Sequence, residues 1–420
     1  MKLSIYTVLS GLIHEAVGAW APLAALSWAP SQISFFFSAN GSLWHKYYTG
    51  HSGWEPFEGR FENLSSKADW LSPPAVVSWS ENRGDVFLYD DKGRTWHKYW
   101  DGTTWQPKYL EQLGASSENR TFVGKLSAAS WARDRIDVVG LVVNDSHADV
   151  GDYVHLYWDG HGWNGWEDWN EKDVTFSSPP SIVSWGPDRF DVFGIDADSN
   201  VWHKYWDGQK YSDGWEILDQ TICDVEKGGC DPPDGFKSDS ITASSWWPGR
   251  WDVWAVGNDA QLWHTYWDGS KIEPWEPLGG SFEAAPQVIH WSTDRVDIVG
   301  FGGAKGDPYW YKYGYWDGSS WHWKPSFDEW IEKTVEGGFA SEPTLASWGE
   351  GNLNIIGLDS KGALQWQMWN ETEWYPGENE WEVLGSMEKP EAAAAGLHNH
   401  QQHRLDPGSH TDEGGFKEDI

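Results

Sequence analysis

The chain has 420 residues with 36 tryptophans, 46 glycines and a formal net charge of -34. A polyanion without a run of Lys or Arg does not grip a phosphate backbone or an anionic membrane surface, so nucleic-acid and membrane partners are excluded. The tryptophan content exceeds what a core of this size needs. Neutral partners that take aromatic faces, sugars first among them, fit it best.

In chain order, Lys2 precedes an apolar stretch from Leu3 to Ile13, and small residues follow at Ala16, Gly18 and Ala19. Residues 1–20 therefore read as a signal peptide, too short to span a membrane, and the protein as secreted; the alternative is an N-terminal strand that closes the fold. Sequons at Asn40, Asn63, Asn119, Asn144 and Asn370 are compatible with a secreted glycoprotein.

From residue 21 to 387 the chain repeats one unit seven times, in steps of about fifty residues. The copies align on a Trp that ends a short apolar strand: Trp28, Trp79, Trp131, Trp185, Trp246, Trp291 and Trp348. They lie near 21–66, 72–114, 124–170, 177–219, 238–280, 284–332 and 341–386. The fourth copy parses into strands at Ser181–Trp185, Phe190–Ile195, Val201–Trp206 and Trp215–Leu218. A turn cluster separates its second and third strands, and the hairpin signal Asp207-Gly208 separates the third and fourth. No stretch has a helical period. Four strands repeated seven times predict an all-β fold, a seven-bladed β-propeller of four-stranded antiparallel blades. The Trp-Asp dipeptide does not make it a WD40 protein, because Gly follows the pair and the upstream Gly-His is absent.

The combined pattern SWGPDRFDVF, then VWHKYWDG, then DGWE, resembles the repeat of the PLL-like lectins, seven-bladed propellers of bacteria with relatives in fungi. The resemblance covers 21–387. It implies a carbohydrate-binding protein with sites between adjacent blades, in the family often for L-fucose and O-methylated sugars, and no cofactor. Copies two, four and five keep the whole signature, whereas copy three has Val154 for the first Trp of the third strand. Copy one lacks Arg-x-Asp, copy six lacks the His, and copy seven has Trp366 in the His position. About three to five working sites are therefore expected.

In an antiparallel blade the first-to-second and third-to-fourth turns share a rim. The first-strand indoles Trp79, Trp131, Trp185 and Trp246 and the Trp-Asp-Gly indoles Trp100, Trp158, Trp206 and Trp267 are then candidates to stack on a pyranose. Packing between blades explains the same residues. The repeated His97, His155, His203 and His264 are either scaffold or sugar contacts; recurrence argues against a catalytic role, since an active site is a single asymmetric constellation. Pairs such as Arg189/Asp191 share a strand face and read as turn-bracing ion pairs or as a polar clamp on hydroxyls. Asp91 to Trp96 resembles the Asp-box hairpin of sialidases, a structural turn.

Cys223 and Cys230 read as a local disulfide pinning an insertion, with two free thiols as the alternative. Residues 388–420 read as a disordered tail whose His398, His400 and His403 are chance histidines rather than a metal site. The sequence thus reads as a lectin for glycans or glycoproteins and not an enzyme. The alternatives are a protein-binding propeller or, with no single carboxylate pair standing out, a propeller glycoside hydrolase.

Overall fold

A strand that alternates large side chains on both faces must be packed on both sides, and radial stacking of sheets is one way to do so. The computed structural model of the chain describes residues 23–65, 72–114, 120–143, 150–169, 174–218, 235–387 and 391–392. They form a seven-bladed β-propeller whose blades occupy 23–63, 75–113, 121–168, 181–217, 236–277, 287–333 and 344–386. Each blade is built around four antiparallel strands, and the described residues contain no helix. Blade 4 uses Ser181–Gly186, Arg189–Ile195, Val201–Trp206 and Glu216–Ile217. Its register sets Asp191 opposite Tyr205 and Phe193 opposite His203.

The core is divided among the seams. Phe193, Ile195 and Val201 of blade 4 interlock with Phe236, Trp251 and Val253 of blade 5. The same happens at every junction, including the one that closes the ring, where Phe35, Phe37 and Trp54 of blade 1 meet Ile356, Leu364 and Trp366 of blade 7. Each such side chain, fully buried, contributes roughly 1.5–3 kcal/mol. Close approach also needs glycine. A Cβ on Gly194 would lie 2.1 Å from the Tyr153 hydroxyl oxygen of the preceding blade, and one on Gly357 would lie 2.0 Å from that of Tyr309.

Every blade is made from consecutive stretches of chain. After blade 7, Glu391–Ala392 pairs in parallel with Arg60 and Phe61 at the outer edge of blade 1, so the chain crosses the closing seam. The expectation of a tail without structure from residue 388 is corrected at this one point: two residues find unpaired backbone groups on the blade edge and add to it. The leader expected at 1–20, the disulfide expected between Cys223 and Cys230 and the tail histidines lie outside the described residues.

Candidate functional site

Two turns build the rim of each seam. In blade 4, Asp188 takes a positive φ of 58° in the first turn, a conformation that Asp tolerates. In the second turn the Asp207 carboxylate accepts the backbone N–H groups of Gln209 and Lys210 at 2.9 Å each. These bonds depress its pKa, and Gly208 follows at a φ of 91°. The recurrent Asp-Gly is therefore a self-capped turn seated against the neighbouring one. The Asp-box reading is off by one residue. Asp90, not Asp91, braces the hairpin, accepting from the backbone of Lys92 and Arg94 and from the Trp96 indole at 3.0 Å. Asp196 repeats this in blade 4, with Trp202 donating at 2.6 Å.

Behind the rim lies a chain of polar groups. Arg189 donates through Nε and Nη2 to the two oxygens of Asp191, at 2.8 and 2.5 Å. His203 Nε2 lies 2.8 Å from the same carboxylate. The guanidinium is held between the ring of Trp185, at 5.2 Å, and that of Tyr205, at 4.1 Å. Blades 2, 3 and 5 repeat the set as Arg83, Arg135 and Arg250, with Asp85, Asp137 and Asp252 below them. Blade 6 replaces the His by Tyr311, whose hydroxyl donates to Asp297 at 2.6 Å beneath Arg295. The five arginines stay 15–17 % exposed, while the carboxylates are sealed. Because each Asp takes Nε and Nη2, the two N–H bonds of Nη1 are left for a ligand.

The electrostatics follow from burial. Burial alone would raise Asp252, but hydrogen bonds from His264 and Arg250 outweigh it and hold the carboxyl at about 2. Burial alone would lower His264, yet Asp252 and Glu276 raise it, and His155 is raised in the same way by Asp137 and Glu167. His97, His155, His203 and His264 sit inside the blades at no more than 5 % exposure. Their imidazoles orient the Asp and hence the Arg; a ligand at the rim meets the guanidinium, not the imidazole.

The candidate tryptophans do come together, but across copies. Trp79 of blade 2 shares its seam with Trp158 of blade 3, Trp131 with Trp206, and Trp185 with Trp267. Trp246 faces His290 and Trp321 of blade 6, at 6.2 and 5.9 Å between ring centres. Trp100 lies 5.6 Å from Trp105, which packs into the seam of blades 1 and 2 together with Trp28. The indole N–H groups of Trp131, Trp158, Trp185 and Trp206 are buried and find no acceptor in the protein. A buried donor left in this way costs about 1–3 kcal/mol, which an acceptor in the cleft would recover.

Two sets of residues were not singled out from the sequence. One is the Tyr at the rim (Tyr99, Tyr157, Tyr205, Tyr266, Tyr313), which covers the other face of each Arg. The other is the aromatic residue three positions after the turn Gly. Trp163 reaches back to His97 of the preceding blade at 5.1 Å, and Tyr211 reaches back to His155 at 6.3 Å. In blades 2 to 4 both stand at fixed offsets from Trp-Asp-Gly, a signal present in the repeat alignment, whereas blade 5 has Ile272 at the second position and blade 6 sets Tyr313 three residues before Trp316. The remaining two seams differ: Gln32 in blade 1 and Asn352 in blade 7 stand in the Arg position, and Ser34 and Asn354 in the Asp position. No cluster of metal-ligating side chains occurs among the described residues.

No family model and no curated protein matches the chain. Solved structures do. It is similar to BP39L lectin from Burkholderia pseudomallei, with a TM-score of 0.62 and 16 % identity over 87 % of this chain and 99 % of that one. Weaker likenesses are to the six-bladed lectin of Aleuria aurantia, at a TM-score of 0.46 and 17 % identity over 90 % and 98 % of the two chains, and to AofleA from Arthrobotrys oligospora, at 0.46 and 12 % over 90 % and 92 %. At such identity the likeness to BP39L speaks for the fold: the chain is a propeller of the kind on which a lectin is built.

Proposed function

We propose that the protein is a lectin that holds neutral sugars in the clefts between its blades. One observation carries this reading. At five seams a guanidinium is locked between a Trp and a Tyr ring with Nη1 unclaimed, and the next blade brings aromatic side chains to the same cleft. A sugar needs both parts, an aromatic face for its C–H groups and donors for its hydroxyl oxygens. The Asp beneath neutralises each Arg, so a neutral ligand fits without leaving an unbalanced charge. The methyl group of L-fucose, or an O-methyl group, would lie against the indoles, in keeping with the motif resemblance. The partners are then glycans or glycoproteins, met outside the cell if residues 1–20 direct secretion.

A millimolar cleft is worth only ~4 kcal/mol. Five on one rigid ring give avidity that none has alone. The test is a glycan array with the intact protein, competed with free L-fucose. Binding to fucosylated or O-methylated glycans that the free sugar reverses, and that weakens when Arg135 and Arg189 are both replaced by Ala, supports the reading. Absence of glycan binding at high protein density overturns it and leaves the clefts to a protein partner.

A further inference from the structure

The ring-closing seam has a different chemistry. A cavity of about 500 Å³ opens between blades 7 and 1. Its walls are aromatic: Trp54 meets Trp366 edge-on at 5.2 Å, Tyr48 lies 5.5 Å from Trp54, and Tyr375 lies 5.6 Å from Trp366. The guanidinium of the other seams is missing. Asn352 stands in its place and is engaged by the Trp369 carbonyl and by Asn354. The charged groups lining the cavity are Glu58, Glu382 and Lys46. Lys46 is turned inward, its ammonium donating to the carbonyls of Pro56 and Arg60, and burial holds its pKa down at about 8 against the pull of Glu55 and Glu382. Glu382 lines the cavity with no cation at ion-pair distance among the described residues, and burial raises its pKa against the pull of Lys46 and a hydrogen bond from Tyr375. Glu58 stands 79 % exposed, with Arg60 only at 3.8 Å. Trp54 is 7 % exposed, and its indole N–H has no acceptor in the protein.

We infer that this seam is a second kind of sugar site, one that takes a monosaccharide bearing a protonated amine. The inference rests on the lectin reading for its ligand class. The aromatic walls accept the C–H face of the ring, and they favour a cation over a neutral group. Glu382 takes the ammonium, which supplies the positive charge that Arg supplies elsewhere. The Trp54 N–H donates to a hydroxyl or ring oxygen. A neutral sugar would leave Glu382 with no closer cation than the inward-turned Lys46.

Titration calorimetry of the intact protein at pH 6.5 with D-glucosamine, D-glucose and N-acetyl-D-glucosamine tests this. Glucosamine is expected to bind once per chain and at least about tenfold more tightly than either neutral sugar. Glu382→Gln is expected to weaken it by roughly fivefold or more, and Trp54→Phe, which removes the N–H and keeps an aromatic face, by roughly threefold. Thermal melting of each variant confirms that the ring is folded. Glucosamine no tighter than glucose, or undiminished by Glu382→Gln in a folded ring, overturns the inference. L-fucose titrated into the same Glu382→Gln protein reads the Arg-lined clefts separately. Fucose bound without glucosamine sinks this site alone, and glucosamine bound without fucose sinks the fucose reading alone.

Discussion

Asp191 serves three purposes with one carboxylate: it orients Arg189, receives His203, and cancels a charge that would otherwise sit half-buried beside two aromatic rings. Removing it should cost more than removing the arginine, because two cationic or polar partners are left behind instead of one. Asp191→Ala is expected to destabilise the protein by about 3–5 kcal/mol in urea denaturation, and Arg189→Ala by clearly less. The same network sets a pH dependence. Asp137 and Asp252 are depressed when folded, so their contribution is present above the unfolded carboxyl value and is lost as pH falls through the folded one, about 2 for Asp252. His155 and His264 are raised when folded, so theirs is complete below the unfolded histidine value and is lost as pH rises through the folded one. From this network alone, melting temperature should hold between about pH 4 and 6.5 and fall toward pH 8, and His155→Gln with His264→Gln should flatten that fall. Asp239 has the opposite problem. Burial lifts it to about 7 against the pull of Lys125, so its cost to folding sets in above the unfolded carboxyl value and is complete above about 7. Asn suits its positive φ of 63° equally well. Asp239→Asn should leave stability at pH 4 unchanged and raise it at pH 8 by about 2–4 kcal/mol.

At the scale of strands and turns, the Trp-Asp-Gly hairpin is local, and so it is legible. Asp and Gly at a turn need no tertiary contact to be recognised, and the third strand of blade 4 runs Val201–Trp206 as its β-branched and aromatic residues imply. A side chain on Gly208 has no such freedom. With φ at 91°, a Cβ there would lie 2.8 Å from the Asp188 Cβ, so Gly208→Ala is expected to cost roughly 1–3 kcal/mol, read from the urea midpoint. What was not legible depends on position rather than composition. The register shifts in the first strands, such as that between Val123 and Ser127, leave no mark in residue type. Asp90 and Asp91 are chemically identical, and only the direction of the chain decides which one braces the turn. The pairing of Trp185 with Trp267 was hidden for a related reason. Aligning repeats groups residues within a copy, whereas a seam joins the start of one copy to the end of the next. The alternation Val201, His203, Tyr205 shows that these side chains share a face, but not that His203 is the buried anchor and Tyr205 the half-exposed wall.

Across the whole molecule, the ring repeats one blade seven times, carries one polar network in five of them, and departs from that network on either side of blade 1. Blades 2 to 6 carry Arg above Asp or an equivalent network, whereas the seams led by blades 7 and 1 carry Asn352 and Gln32. The division has a physical logic. The closing seam is tied by the hydrophobic cluster of Phe35, Trp54 and Trp366 and by the outer-edge pairing of Glu391–Ala392, so packing rather than a polar network holds it. A ring with five like clefts should also lose binding gradually. One Arg→Ala replacement should barely lower retention on a dense glycan surface, and three should lower it steeply, because avidity depends on how many clefts engage at once. Surface plasmon resonance on immobilised fucosylated glycan would follow that curve; a single decisive replacement would point to one unique site instead. The most direct test of the account is a crystal structure of the protein soaked with α-methyl-L-fucoside. Sugar is expected beside Arg83, Arg135, Arg189, Arg250 and Arg295, stacked on the indoles of the seam, and none beside Asn352 or Gln32. Sugar bound away from the seams, or clefts that stay empty at saturating ligand, would contradict it.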